Sequence, residues 1–298
     1  MLQERGDRAF NVAINVLLII AALITLYPLW YVIIASVSHP TAITMGKVYL
    51  WPVDFTLQGY ELLLENERIW MGYRNTIFYT VAATALQMVV QISCAFALTR
   101  RDLPGRRALN LFFVFTMYFG GGMIPSYLLI YELGWLDNPI VMIVPSAMSV
   151  YNMIVARSFF MGSIPESLFD AARIDGCSYI RFFIQVVLPL SGAMLAIIAL
   201  FNMQVTWNAY LNAQIYLITP EYQTLQQIIQ QIVSQATAMV EGPSLGGNMD
   251  AEEMNEMIFR RQLLTYCVIF VASAPMIAIY PFMQKFFVKG IMVGAVKG

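Results

Sequence analysis

Leaving aside the glutamine-rich 222–240, six stretches of at least 19 residues contain no Asp, Glu, Lys or Arg: 12–37, 75–99, 108–131, 138–156, 182–220 and 262–284. A helix needs roughly 20 apolar residues to cross the ~30 Å hydrocarbon core of a bilayer, so each stretch is long enough for a span. The 39 uncharged residues of 182–220 are too many for one. Their apolar half ends near Phe201, and a helix from about Leu188 to Tyr210 fits best. Composition agrees: apolar residues make up 59 % of the 298 and charged ones 12 %, against about 45–50 % and 25 % in soluble domains. So few charges cannot clothe so much apolar surface in water. The chain reads as an all-α membrane protein with six transmembrane helices.

The first stretch carries a small-x-small triplet, Ser36-Val37-Ser38, of the kind that ends a secretory signal. Its apolar core is nevertheless about twice the 7–15 residues of a signal's core. The charges before it, Glu4, Arg5, Asp7 and Arg8, cancel. It is therefore expected to remain as a span. Six spans put both termini on one side of the membrane. Twelve of the 17 Lys and Arg fall in 1–9, 99–107, 156–181 and 285–298, and five in 38–74, 131–139 and 219–261. Positive charge is retained on the inner side, so both termini are expected to be cytoplasmic. The Arg100-Arg101 and Arg106-Arg107 pairs weigh most in that assignment.

Missing features narrow the function. Ion-coupled carriers need ionisable groups at membrane depth, and none lies in the six spans. No internal inverted repeat is evident, which also argues against a secondary carrier. There is no His-Glu-x-x-His, no Gly-x-Ser-x-Gly and no phosphate-cradling Gly-x-x-x-x-Gly-Lys-Ser/Thr loop. One histidine (His39) and three scattered cysteines (Cys94, Cys177, Cys267) make neither a metal set nor a disulfide framework. The net charge of −1 excludes nucleic-acid binding by phosphate neutralisation. The chain is expected to be non-catalytic and to bind no cofactor, with any driving energy entering through a partner.

Between the fourth and fifth stretches runs Ser163-Ile-Pro-Glu-Ser-Leu-Phe-Asp-Ala-Ala-Arg-Ile-Asp-Gly176, then Cys177 to Pro189. Ser163 with Glu166 matches a capping box, and Pro165 suits a first helical turn. Gly176 fits the left-handed position that ends a helix, and Ser178 fits the cap of the next. Two short helices meeting at a glycine turn follow. Local physics alone is equally compatible with an ordinary cytoplasmic loop. The full spacing, Asp170-Ala171-Ala172, three residues, Gly176, nine residues, Val186-x-Leu188-Pro189, resembles the "EAA" signature of ABC importer permeases. That pattern is Glu-Ala-Ala-x3-Gly-x9-Ile-x-Leu-Pro, from which Asp170 and Val186 are conservative departures. Ile164-Pro165 and Ile174-Asp175-Gly176 are similar to the carbohydrate branch, maltose-type permeases included.

This resemblance covers roughly residues 70–290 and implies a type I ABC importer permease (MetI-like) fold. Residues 1–70 would hold the N-terminal tail, the first helix and an outer loop. The core would run 71–290, with a coupling loop at 157–187 and an extracytoplasmic loop at 219–261, leaving a tail of 291–298. It also implies partners: a companion permease, two ABC ATPase subunits carrying ATP and Mg, and an extracytoplasmic solute-binding protein. Coupling to the ATPase would fall to Glu166, Asp170, Ala171, Ala172, Asp175 and Gly176. The Lys289–Gly298 tail resembles the subgroup that handles oligosaccharides and acidic polysaccharide fragments such as alginate.

A polar run, Asn202, Gln204, Thr206, Trp207, Asn208, Tyr210 and Asn212, occupies the second half of the fifth span. Neutral amides and hydroxyls beside aromatic rings suit a sugar's hydroxyls and its flat apolar face. They suit interhelical hydrogen bonding equally well. Trp207-Asn208 is similar to a Trp-Asn element of carbohydrate permeases. Gln87, Gln91, Tyr151 and Asn152 are further candidates for the substrate path. Outside, Thr224-x-x-Gln227 fits a helix cap ahead of an apolar stripe at Leu225, Ile228, Ile229, Ile232 and Val233. A Pro243–Gly247 turn and acidic 250–256 follow. That loop either docks a binding protein or folds over its own bundle. The alternative functions are an ABC permease for a non-sugar solute and a stand-alone channel or carrier.

Overall fold

Residues 2–241 and 251–295 are described by a computed structural model, and among them no strand forms. Two compact units divide the chain: 1–67 with 229–274, and 68–228 with 275–298. In the first, α1 (Leu2–Ser36) is exposed all round from Phe10 to Trp30. Such a helix is a span waiting for lipid or protein around it. Beyond it come α2 (Pro40–Thr44) and α3 (Gln58–Glu65). The C-terminal helix, α14 (Ala251–Ala295), enters this unit with its 251–274 portion. Its buried Cys267 thiol donates to Ser36 O at 3.2 Å, and the Ser36 and Tyr60 hydroxyls lie 2.7 Å apart. A Cβ on Gly59 would sit 2.5 Å from the Cys267 sulfur, so glycine permits this approach.

The second unit is built on α4 (Glu67–Ala97), which the sequence reading placed at 75–99. The predicted third span is two helices, α5 (Arg106–Tyr118) and α6 (Met123–Glu132), bent by 111°. The break falls at Gly120–Gly122, where Gly122 has φ 82°, a conformation open to residues without a Cβ. The predicted fourth span, 138–156, is not a membrane-length helix. A 3₁₀ turn (Pro139–Met142) and α7 (Val150–Ser163) stand in its place. Asn138 and Ser149 cap these two pieces through side-chain oxygens, and Pro145 lies between them, disfavouring helix at the residue before it.

The predicted fifth span also breaks. Helix α9 (Tyr179–Phe182), a π turn (Phe183–Val187) and α10 (Leu188–Leu190) meet α11 (Gly192–Trp207) at 85°. Pro189 and the Ser191-Gly192 pair supply the discontinuity. A further break at Asn208 leads to α12 (Tyr210–Tyr216). Helix α8 (Glu166–Ile174) precedes the first break, and α13 (Leu225–Glu241) follows the second. Among the described residues, three helices are long and apolar enough to cross a membrane, 10–36, 67–97 and 261–282, or up to five if each bent pair is one span. The main core of the second unit gathers Ile92, Phe96, Met153, Phe160, Phe169 and Phe182 from α4, α7, α8 and α9.

Candidate functional site

Helix α8 is nine residues long and too short to persist alone in water. What holds it is Phe169, 7 % exposed, which stacks on Tyr179 at 5.2 Å and meets Phe182 edge-on at 5.1 Å. Ala172 is half-buried against the same core. The opposite side carries Leu168, Ala171 and Ile174, the last 87 % exposed, beside exposed Glu166, Asp170 and Asp175. Three turns of apolar side chain facing outward, flanked by acids, form a surface for another protein.

The two ends of α8 have different origins. Gly176 has φ 74°; its N–H donates to Arg173 O at 3.0 Å while that of Cys177 donates to Ala172 O at 2.9 Å. This is the paired Schellman closure. Ser178 then caps α9 through Arg181 N at 3.3 Å. The expected capping box is not made. Ser163 ends α7, and extended Pro165 stands before α8 with no side-chain cap. Ile164 precedes a proline and is pushed to an extended conformation, which separates Ser163 from the helix it was to cap.

The turn 99–107 after α4 holds this loop at three points. Arg101 pairs with Glu166 at 3.0 Å, and the Tyr179 hydroxyl donates to the Asp102 carboxylate. The Arg100 guanidinium lies over Phe169 at 4.4 Å and over Phe96 at 5.2 Å. The hydrogen bond from Tyr179 holds the Asp102 carboxyl below its usual range, and burial lowers the Arg100 value. Neither Phe169 nor Tyr179 was singled out from the sequence, and Arg100 was read only as a charge that orients the chain. The aromatic spacing 169, 179, 182 was the available signal.

The polar candidates divide into two groups. Asn202, Gln91 and Asn152 are buried together: Asn152 donates to Asn202 at 2.8 Å, Asn202 to Gln91 at 3.2 Å, and Gln91 to Ala147 O at 3.4 Å. These amides tie α4, α7 and α11 to one another. Gln204, Asn208, Tyr210, Asn212 and Tyr151 are exposed, and Trp207 is buried edge-on to Tyr73 at 6.3 Å. Asn212 lines a cavity of about 450 Å³ with Ser126, Ser146, Thr206 and Tyr216. Helix α4 adds a buried polar stripe that only Gln87 and Gln91 had suggested: Thr76, Thr80, Thr84, Gln87 and Gln91 recur on one helical face. Oxygens of Thr80, Thr84, Gln87 and Thr206 have no hydrogen-bond partner among the described residues. Groups of that kind seek a polar guest.

The outer loop is pinned to its own unit at its start. Thr224 caps α13 through Gln227 N at 3.3 Å, and Leu225 N donates to Thr76 at 2.8 Å. Gln227 reaches Leu217 O at 3.2 Å. Leu225, Ile228 and Ile229 are buried, while Ile232 and Val233 are partly so. A Cβ on Gly72 would lie 2.6 Å from Ile228 Cδ1 and 3.1 Å from Leu225 Cα, so α4 approaches α13 through glycine. Asp137, at φ 55°, accepts from Ile218 N at 2.9 Å and Thr219 N at 2.8 Å, closing the near end of the loop. The turn 243–247, the acidic 250–256 side chains and the 296–298 end of the tail lie outside the described residues.

Helix α8, exposed between α7 and α9, and the polar groups buried among α4, α7 and α11 fit a membrane transport permease. The chain belongs to the family described as binding-protein-dependent transport system inner membrane component, whose model matches residues 69–293. It is 36 % identical to the polygalacturonan/rhamnogalacturonan transport system permease protein YtcP of Bacillus subtilis, over 98 % of this chain and 99 % of that one. It is 33 % identical to Protein LplC of the same organism, over 100 % and 98 %. A solved structure of a bacterial ABC transporter involved in the import of the acidic polysaccharide alginate superposes with a TM-score of 0.83. The identity there is 32 %, over 95 % of this chain and 98 % of that one.

Proposed function

We propose that this chain is one of two permease subunits of a bacterial ABC importer that carries oligosaccharides, acidic polysaccharide fragments included, across the cytoplasmic membrane by alternating access. The observation that carries the reading is α8: anchored by Phe169 on one side and presenting Leu168, Ala171 and Ile174 on the other. In this reading Glu166, Asp170, Ala171, Ala172, Asp175 and Gly176 meet the ATPase, and ATP with Mg is bound there, not here. Six spans with cytoplasmic termini go with it, the fourth made of 138–149 and α7. Asn212 and the unpartnered oxygens of Thr80, Thr84, Gln87 and Thr206 offer neutral hydrogen bonds to sugar hydroxyls. The likeness to a polygalacturonan/rhamnogalacturonan permease and to an importer of the acidic polysaccharide alginate supports the substrate class. A companion permease, two ATPase subunits and an extracytoplasmic binding protein complete the assembly.

The test is a mild-detergent pull-down of the tagged chain from its native membrane, beside the Gly176→Pro variant. Proline cannot adopt φ 74° and removes the Gly176 N–H. The expected result is a stoichiometric ATPase and a second permease with the native chain, and loss of the ATPase alone with the variant. A native chain that purifies without an ATPase overturns the proposal in favour of a channel or carrier.

A further inference from the structure

A groove of about 430 Å³ opens where the last turn of α4, the turn 99–107 and α9 meet. Its walls are mostly apolar, from Phe96, Ala97, Leu103, Ile180 and Phe183, with the hydrogen-bonded Asp102–Tyr179 pair in the lining beside Arg100. Ile180 is 73 % exposed, and Val89 and Ile184 on the same two helices are also exposed. At the mouth stands Arg100, half-buried across two phenyl rings. Its Nε donates to Thr99 at 3.1 Å, and its terminal amino groups have no hydrogen bond among the described residues. The turn carries four arginines against one carboxylate, Asp102, which the Tyr179 hydroxyl already occupies. Arg101 is paired with Glu166 and Arg106 donates to Thr99 O at 3.3 Å, which leaves Arg100 as the cation aimed into the groove.

An apolar slot continuous with the lipid-facing side of a span, ending under an unpaired guanidinium, has the charge and polarity profile of a phospholipid. We infer that this groove binds an anionic phospholipid of the inner leaflet, its acyl chain along Phe96, Leu103 and Phe183 and its phosphate at Arg100. Because Arg100 also covers Phe169, the bound headgroup is placed to brace the loop that carries α8. The site goes beyond the transport reading and shares with it only the cytoplasmic placement of the turn.

The purified complex is titrated with phosphatidylglycerol or with phosphatidylcholine of equal chain length, and bound lipid is counted by native mass spectrometry. Phosphatidylglycerol is expected to be retained about fivefold better, and Arg100→Gln to remove that preference. Arg107→Gln, an exposed arginine of the same turn outside the groove, is expected to keep most of it. Ala97→Phe fills the groove from an exposed position and is expected to reduce retention of both lipids. Glycerol phosphate without acyl chains is expected not to compete. Equal retention of the two lipids, equal losses in Arg100→Gln and Arg107→Gln, or an Ala97→Phe complex that binds as before each overturn the site. So does an Ala97→Phe variant that sheds the companion permease while lipid retention is unchanged, since the groove is then a subunit interface. Lipid counts are read without transport, so this result and failure of the importer reading are separable.

Discussion

Replacing Phe169 with alanine isolates what holds α8 in place. A phenylalanine buries about 150–250 Å², and this one is 7 % exposed. At ~25 cal/mol per Å² that burial is worth about 4–6 kcal/mol, and Phe→Ala changes in packed interiors cost about 3–5 kcal/mol. Phe169 lies at the edge of its cluster, under Arg100, so about 3 kcal/mol is the working figure. That corresponds to ~150-fold in the equilibrium between docked and undocked loop. A free nine-residue segment does not keep its helix. Hydrogen exchange of 166–174 is therefore expected to speed up about 100-fold, with α4 and α7 unchanged, and ATP-driven uptake into proteoliposomes to fall to background. Phe169→Leu should recover much of both. Ile174→Asp is the complement: it touches no core residue, so exchange in the free chain stays native while ATPase binding is lost. Unchanged protection at 166–174 in Phe169→Ala would refute the anchoring argument.

Three further outcomes follow from the packing. Gly72→Ala places a methyl 3.1–3.2 Å from Leu225 backbone as well as 2.6 Å from Ile228. Backbone cannot yield cheaply, so the start of α13 should lift from α4, costing about 1–3 kcal/mol and raising protease cleavage within 219–241. Asn202→Leu takes the partner from the Asn152 amide nitrogen and from the Gln91 amide oxygen. A thermal-stability loss of about 1 kcal/mol is expected, with the KM for sugar unchanged, because Asn202 faces its neighbours and not the cavity. Asp137→Ala removes the acceptor for the Thr219 hydroxyl and two backbone N–H groups. Those bonds hold the Asp137 carboxyl below its ordinary value, with the Thr219 hydroxyl contributing most. The stabilisation is complete above the unfolded value near 3.9 and disappears as pH falls through the lower folded one. Melting curves should separate native and variant by about 1 kcal/mol at pH 7, converging once the pH has fallen through the lowered folded value.

Features that depend on neighbours in sequence were readable in advance. Gly176, Ser178 and Thr224 act within four residues, and their roles follow from backbone geometry. Ser163 fails on equally local grounds, since Pro165 outranks the capping pattern. Charge-free length misled at 138–156, where Asn138, Pro139, Pro145 and Ser149 interrupt an otherwise span-like composition. The third stretch was read as one span, yet three glycines at 120–122 stand inside it and the chain turns there by 111°. The least readable residues act across sequence. Phe169 is one more apolar position until Tyr179 and Phe182 return beside it, and Gly72 has meaning only once α13 lies against it. The amides of α11 were read as one polar run, yet helical rotation buries Asn202 and turns Gln204 and Asn208 outward.

The contacts of the second unit also say how a push on α8 is distributed. Phe169, the Arg101–Glu166 pair and the Asp102–Tyr179 bond fasten α8 and α9 to the end of α4. Arg157 of α7 donates to Leu98 O at 3.2 Å, just past that end. Deeper in, Gln91, Asn202 and Asn152 join α4, α11 and α7 again. Two layers of cross-links, one at the end of α4 and one within the helices, oppose independent sliding of the three. A displacement of α8 is then shared by all of them as a block. The bends at Gly120–Gly122 and at Ser191-Gly192 interrupt the helices outside that block, at 111° and 85°. They adjoin the helices α6 and α11 that line the polar cavity of Asn212 and Thr206. In the proposed importer, motion imposed on α8 is therefore expected to be taken up between α5 and α6 and between α10 and α11, next to that cavity.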